Sequence, residues 1–317
     1  MPSYKRDQPV LLHNKSGIRL TGDARNAEVL LTMFSREYQK RTNLDSRVRF
    51  KVMVCDRTQE SILSKVLDGQ YSLGQCQLVY DKRKWFLLLT YQFTPEERKL
   101  DPEKILGVDL GEAYAIYASS VGEYERLRIE GGEVTEFAQR CEARRKSLQH
   151  QAACCGEGRI GHGTKTRVDA VYSMQDRIAN FRKTINHRYS KALVDFAVKN
   201  GYGTIQMEDL SGIKSNLEYP RRLQHWTYYD LQSKIEAKAA EAGIVVRKVK
   251  PQYTSQRCSH CGNIDPENRK EQATFCCTQC GYRTNADYNA SQNLSIKGID
   301  EIIAKELSAK DKQSEKE

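Results

Sequence analysis

The sequence predicts an α/β chain whose first part is mostly β and whose last part is organised around a metal knuckle. Three observations carry this. Short alternating or apolar stretches crowd the first part, up to about residue 100. From Asp101 onward, strand-like and helix-like runs alternate. Near the end, two Cys-x-x-Cys pairs, Cys258/Cys261 and Cys277/Cys280, are separated by fifteen residues.

The totals set the frame. A chain of 317 residues is long enough for two or three compact units. Its 51 Lys and Arg against 41 acidic residues leave a net charge of +10, which favours a polyanionic partner, nucleic acid first. No apolar run is long enough to span a bilayer and no signal peptide opens the chain, so a cytoplasmic protein with no membrane partner is expected. Ten cysteines without a secretory signal point to reduced thiols and metal binding rather than disulfides. Cys55, Cys76, Cys141, Cys154 and Cys155 belong to no motif and read as ordinary thiols.

In the first part, Val48–Val54 and Gln77–Tyr80 alternate, and Trp85–Tyr91 is an apolar, aromatic strand. Asp81–Lys84 reads as a basic hairpin turn and Ile62–Leu67 as a short helix. Together they predict a small antiparallel sheet or partial barrel. Tyr4-Lys5-Arg6 and the region from Arg36 to Arg47 add positive charge, which is a solvated face or a contact to a nucleic-acid backbone.

A new unit starts near Asp101. Lys104–Gly111 is a strand ending in Asp109 between Gly107 and Gly111, and the glycines would let a bulky charged ligand approach the backbone there. Ala113–Ala118 and Tyr124–Ile129 follow as returning strands, then Val134–His150 as a charged helix. The Gly-rich basic stretch Gly156–Arg167 resembles a phosphate cradle without the P-loop frame. Val171–Lys199 is a long helix. Its His187 has no carboxylate or Cys at ligand spacing.

Tyr202–Leu210 is a buried strand ending in two acids, which alternation sends to opposite faces. Glu208 shares its face with Gln206, which can border a solvated site, whereas Asp209 shares its face with Ile205 and Met207. Alternation alone leaves the choice open; Glu208 is taken. Arg221–Ala242 is a helix whose start carries Trp226, Tyr228 and Tyr229, aromatics expected in the core rather than as base-stacking platforms. Ile244–Val249 is a strand leading to the cysteines.

The four cysteines fit a tetrahedral zinc ribbon, with Gly262 and Gly281 placed where each knuckle needs positive φ. His260 and Cys276 are spectators, because four thiolates complete the set. Asn285–Ala290 then opens a helix running through Leu294, with Asp287 in its first turn, where a carboxylate is favoured. Asp109, Glu208 and Asp287 are each weak signals singly. As one cluster they would repel one another unless divalent cations neutralised them. Two Mg²⁺ about 3.5–4 Å apart can drive phosphodiester cleavage.

These motifs, in the order G-V-D-L-G, Q-M-E-D-L, two C-x-x-C pairs and N-A-D-Y-N-A, resemble the split RuvC nuclease of transposon-encoded TnpB proteins and the miniature type V (V-F) CRISPR effectors. The likeness extends to S-Y-K-R-D near the start, N-H-R-Y-S, W-T-Y-Y-D-L and P-Q-Y-T-S-Q-R-C. It implies an RNase H-like (RuvC) nuclease domain with an inserted four-cysteine zinc ribbon, preceded by a small wedge-like (OB-like), mostly β domain. It implies Asp109, Glu208 and Asp287 as catalytic magnesium ligands, and Cys258, Cys261, Cys277 and Cys280 as ligands of structural zinc. The partners implied are a guide RNA and a DNA target, with base pairing reading the sequence. The domains expected are 1–100 (wedge-like), 101–250 (first nuclease segments), 251–284 (ribbon, contacting target nucleic acid), 285–307 (last nuclease segment) and 308–317 (a charged, disordered tail).

One departure stands out. In that family a first wedge strand and a helical recognition lobe normally come earlier, and here Met1 falls within the wedge. A homodimer or a separately encoded N-terminal subunit is therefore considered, and the alternative to a nuclease is a guide-dependent DNA-binding regulator that does not cut.

Overall fold

The computed structural model describes residues 8–13, 16–81, 84–95, 97–111, 113–154, 164–210, 228–250 and 252–314. Two compact units emerge, Met1–Thr94 and Pro95–Glu317, so the boundary falls slightly before the expected residue 100. Among the described residues, no helix is long and apolar enough to cross a membrane. The Gly-rich stretch up to residue 163, Tyr4-Lys5-Arg6 and Trp226 lie outside the described residues.

The first unit holds β1 (Val10–Leu12), β2 (Ile18–Thr21), β3 (Glu28–Thr32), α1 (Arg36–Thr42), β4 (Arg47–Lys51), α2 (Arg57–Leu67), β5 (Ser72–Leu73), β6 (Cys76–Asp81), β7 (Lys84–Leu88) and β8 (Tyr91–Gln92). Two three-stranded sheets, β1-β6-β7 and β2-β3-β4, share a core of Leu12, Ile18, Val29, Leu31 and Cys76. The expected strand Trp85–Tyr91 is split, because Tyr91 leaves β7 to pair with Leu73 in the small β5-β8 ladder. Helix α1 was not legible: its stretch is charged and buries no residue, and its ends are fixed by the Ser35 cap and the left-handed Asn43.

The second unit starts with a meander of β9 (Asp101–Asp109), β10 (Tyr114–Ser119) and β11 (Leu127–Glu130). Helices α3 (Gly132–Ala153) and α4 (Thr164–Lys199) form a long crossover to β12 (Tyr202–Glu208), and α5 (Tyr228–Glu241) crosses to β13 (Val245–Val249). The sheet order is β11-β10-β9-β12-β13, with β12 parallel to β9 and β13 parallel to β12. Parallel neighbours require such helical crossovers.

The two faces of this sheet are dressed differently. Alternation puts Leu106, Val108, Ile205 and Met207 on one face, where Ile185, Leu193 and Ala197 of α4 and Leu231 and Ile235 of α5 cover them. Each such fully buried aliphatic side chain contributes roughly 1.5–3 kcal/mol. The other face carries Gly107, Asp109, Gln206 and Glu208. Two aromatic expectations separate here: Tyr228 is half-buried, whereas Tyr229 is exposed rather than in the core.

After β13 come a 3₁₀ turn (Pro266–Arg269), the hairpin β14 (Thr274–Cys276) and β15 (Arg283–Asn285), then α6 (Ala286–Leu294) and α7 (Ile299–Ser314). Helix α7 carries the chain past Ser308 as far as Ser314. Ile299 and Ile303 are buried with Val249, Ile264 and Leu294, Ile302 and Leu307 are half-buried, and the Lys, Glu and Ala that follow are strong helix formers.

One half-buried cation makes stability depend on pH. Lys238 of α5 donates to Ser190 Oγ at 2.8 Å and lies 3.3 Å from His187 Nδ1. Burial first, then the like charges of Lys234 and Lys191, bring it down to about 8, with Glu241 and Asp230 partly opposing. Because an unfolded lysine titrates near 10.5, the unfolded chain holds more protons between the two values, and stability from this group rises with pH across that window. Lys238→Met should therefore melt above wild type at pH 7, with the gap closing as pH climbs from about 8 to 10.5. Melting curves across that range check it.

Candidate active site and metal centre

Strands β9 and β12 run parallel with Met207 opposite Val108, so the next residues, Glu208 and Asp109, finish side by side on one face. Tyr117 of β10 pairs with Asp109 from the other side. Helix α6 lies across this face. Its approach is so close that a Cβ on Gly107 would fall 2.0 Å from Ser291 O and 2.4 Å from Ser295 N. The glycine thus admits a helix backbone, not the ligand that the sequence suggested. One turn before Ser291, Asp287 reaches the end of β9, where a Cβ on Gly111 would sit 4.0 Å from its Oδ1. Asn285 caps the helix through Tyr288 N, which leaves the Asp287 carboxylate out of the capping role.

The structure therefore brings the carboxylates of Asp109, Glu208 and Asp287 together at one end of the sheet. Gln206, expected to border solvent, is instead buried beneath α6 and donates to Leu294 O and Ile296 O at 2.7 and 2.9 Å. Ser119 Oγ and Ser291 Oγ meet at 2.6 Å, and Gln292 donates to Ser119 Oγ at 2.9 Å. The helix is thus seated on the sheet by polar contacts.

The electrostatics are those of crowded acids. Burial first, then the charges of Glu208 and Asp287, raise Asp109 well above the ordinary carboxylate range, while Arg269 and the Leu110 N–H only partly offset this. Glu208 is raised by burial against the pull of Thr254 and Arg269, and Asp287 by burial against Arg269. Asp287 is only 7% exposed, whereas Asp109 and Glu208 are recessed but still meet solvent. Such a donor set suits hard divalent cations, which would replace the missing positive charge. The three carboxylates are more widely spread than one ion's ligand sphere: among the described residues, only the four cysteines form a group of three or more such donors within 4.8 Å of one another.

Sequence reasoning missed two residues at this pocket. Arg269, at the end of the 3₁₀ turn, lies 3.6 Å from Asp287 Oδ1. Its sequence neighbours Glu267, Lys270 and Glu271 are charged as well, so nothing local sets it apart. Thr254 is buried and donates its hydroxyl to Glu208 Oε1.

The four thiols form the second centre. Cys258 and Cys280 Sγ are 3.8 Å apart, and Cys261 and Cys277 Sγ 3.5 Å. Four sulfurs about 2.3 Å from a tetrahedral ion would stand about 3.8 Å apart, so the group fits such an ion. Gly262 and Gly281 have φ 82° and 71°, as the knuckles require. Burial pushes Cys258 up to about 12. Burial also acts to raise Cys277, but the N–H groups of Cys280 and Gln279 and the nearby thiols Cys261 and Cys280 bring it down to about 7. Cys276 accepts from Arg283 Nε at 3.3 Å and His260 stacks on Tyr282, so neither joins the set.

The knuckles are tied to the pocket through α6. Asn289 accepts from Ser259 N at 2.9 Å and donates to Arg257 O at 2.8 Å. Asn293 donates to Thr254 O at 2.9 Å and accepts from Arg257 Nη1 at 2.9 Å, while Arg257 also grips Glu306 of α7 through two bonds of 2.8 and 2.9 Å.

Residues 228–294, from α5 through the cysteines to α6, match a family model described as Cas12f1-like, TNB domain. The chain is 45% identical over 311 residues to a protein of Sulfoacidibacillus thermotolerans named CRISPR-associated endodeoxyribonuclease Cas12f1, covering 97% of this chain and 72% of that relative. A protein of the same name from Syntrophomonas palmitatica is 38% identical over 341 residues, covering 96% of this chain and 68% of the relative. In fold, the chain resembles the protein of a cryo-EM Cas12f1-sgRNA-target DNA complex, with TM-score 0.65 at 22% identity. That likeness covers 93% of this chain and 65% of the other, just under two thirds of its length. On the two sequence likenesses, the chain belongs to the Cas12f1 family.

Proposed function

We propose that this chain is an RNA-guided, metal-dependent DNA endonuclease that hydrolyses phosphodiester bonds. The observation that carries the reading is the convergence of Asp109, Glu208 and Asp287 from two adjacent strand ends and one helix start. The strand order, three antiparallel strands followed by two parallel ones, supports an RNase H-like (RuvC) architecture. Asp109, Glu208 and Asp287 would hold Mg²⁺, which when bound supplies charge neutralisation and water activation. Arg269 beside Asp287 adds a fixed positive charge at the pocket's edge. The net charge of +10 and the nucleic-acid partners named for the similar complex support a guide RNA and a DNA target. The test is cleavage of DNA that requires guide RNA, Mg²⁺ and Asp109 together; gel-shift binding with no cleavage under any divalent metal would instead favour a DNA-binding regulator.

Cys258, Cys261, Cys277 and Cys280 would hold a structural zinc ion. Around them the apolar support is thin, chiefly Phe275, Ala286 and half-buried Tyr282, so the ribbon leans on its metal. Chelating zinc should speed hydrogen exchange in residues 252–285 before the first unit's sheets respond. Uniform opening of the whole chain would contradict this.

A further inference from the structure

The nuclease reading names the carboxylates but not what aims them. Glu208 is the last residue of β12, where the strand's ladder to β9 stops, so its side chain needs a partner to fix its direction. The partner is Thr254, fully buried, whose hydroxyl donates to Glu208 Oε1. Thr254 is itself held from the opposite side, since its carbonyl accepts from Asn293 Nδ2 of α6 at 2.9 Å. The same α6 carries Asp287.

A second, independent observation lies one residue earlier. Tyr253 has φ 68°, in the left-handed region that a bulky side chain rarely enters. Its carbonyl accepts from Gln256 N at 3.1 Å and Arg257 N at 2.9 Å, which locks the turn leading into the first knuckle. A backbone strained in this way persists only where its surroundings over-determine it, and such sites cluster where geometry serves function.

We infer that Thr254 is a positioning residue for the divalent-cation site: its hydroxyl, delivered by the strained Tyr253 turn at the root of the cysteine knuckle, fixes the orientation of Glu208 toward Asp109. This rests on the nuclease reading only for the identity of the ligand set. Hydrogen bonds from outside the ligand shell of this kind orient ligating oxygens, and with Thr254 the bond comes from the ribbon segment rather than from the sheet. The geometry of the acidic pocket thereby depends on the folded state of the cysteine module.

The experiment titrates Mn²⁺ alone into the 317-residue chain by electron paramagnetic resonance, taking the binding lost in Asp109→Asn as the site. Thr254→Val, which keeps the shape and removes the donor, should weaken that binding roughly 10–100-fold, while Thr254→Ser should stay within about threefold. Bound zinc should match wild type in both. Thr254→Ala is a second hydroxyl-free variant if valine does not fold. Wild-type Mn²⁺ affinity in the hydroxyl-free variants would overturn the inference, as would an equal loss in serine or the absence of Asp109-dependent binding in wild type. A wild type that binds Mn²⁺ at this site but does not cut guide-matched DNA would remove the nuclease reading and leave the positioning role standing.

Discussion

Replacing Asp109 by asparagine should reduce guide-dependent DNA cleavage on the order of a thousandfold or more while the chain stays folded. The side chain keeps its size but loses the charge at the centre of the cluster, where burial and both neighbouring carboxylates converge. Cation charge at a phosphoryl centre is worth several kcal/mol, and each 1.36 kcal/mol is about a tenfold change in rate. Relief of repulsion should leave the melting temperature equal to or above that of wild type, because Asp109 is the carboxylate raised most strongly by its acidic neighbours. Single-turnover cleavage and a melting curve on the same preparation separate the two effects. Equal cleavage by both proteins would remove the proposed chemistry.

Gly107→Ala should be the most damaging single methyl in the second unit. The added carbon would meet Ser291 O at 2.0 Å, Ser295 N at 2.4 Å and Leu294 C at 2.7 Å, and all three are backbone atoms that no rotamer change can move. Overpacking of this kind costs roughly 1–3 kcal/mol, occasionally more. For a unit of this size that is a fall in melting temperature of roughly 2–12 °C. Helix α6 must lift, carrying Asp287 away from Asp109, and a displacement of about 1 Å can cost about a hundredfold in rate. Gly132→Ala is the control: nothing lies within 4 Å of its added carbon and it begins α3, so it should be neutral or slightly stabilising. Similar losses from both substitutions would show that the close approach of α6 is not what Gly107 serves.

What was legible in the sequence follows from how local each signal is. The Cys-x-x-Cys pairs are fixed by ligand geometry within four residues, and the four thiols come together as the spacing requires. Asp109 and Glu208 were legible as acids at strand ends, a local feature, although alternation left Asp209 open beside Glu208; the register across β9 and β12 is what places the two side by side. Gly107 misleads a reading of the sequence because a glycine only reports that something comes close. That the visitor is α6, about 180 residues later, is a tertiary fact. Arg269 and Thr254 were invisible for the same reason, each contacting a carboxylate supplied by a distant element or hidden among charged neighbours. Helix α7 was not foreseen because its apolar stripe of Ile299, Ile303 and Leu307 has meaning only once Val249, Ile264 and Leu294 are there to receive it.

The three acids are spread along the last two thirds of the chain, at positions 109, 208 and 287. A ribosome that has released only the first two has made a strand pair without the helix that closes it, and parallel pairing across so long a loop is itself slow to form. On the nuclease reading, cutting power therefore arrives last in synthesis, once α6 has emerged and folded down. On that same reading, a chain terminated before α6 carries only two of the three acids and should leave DNA uncut.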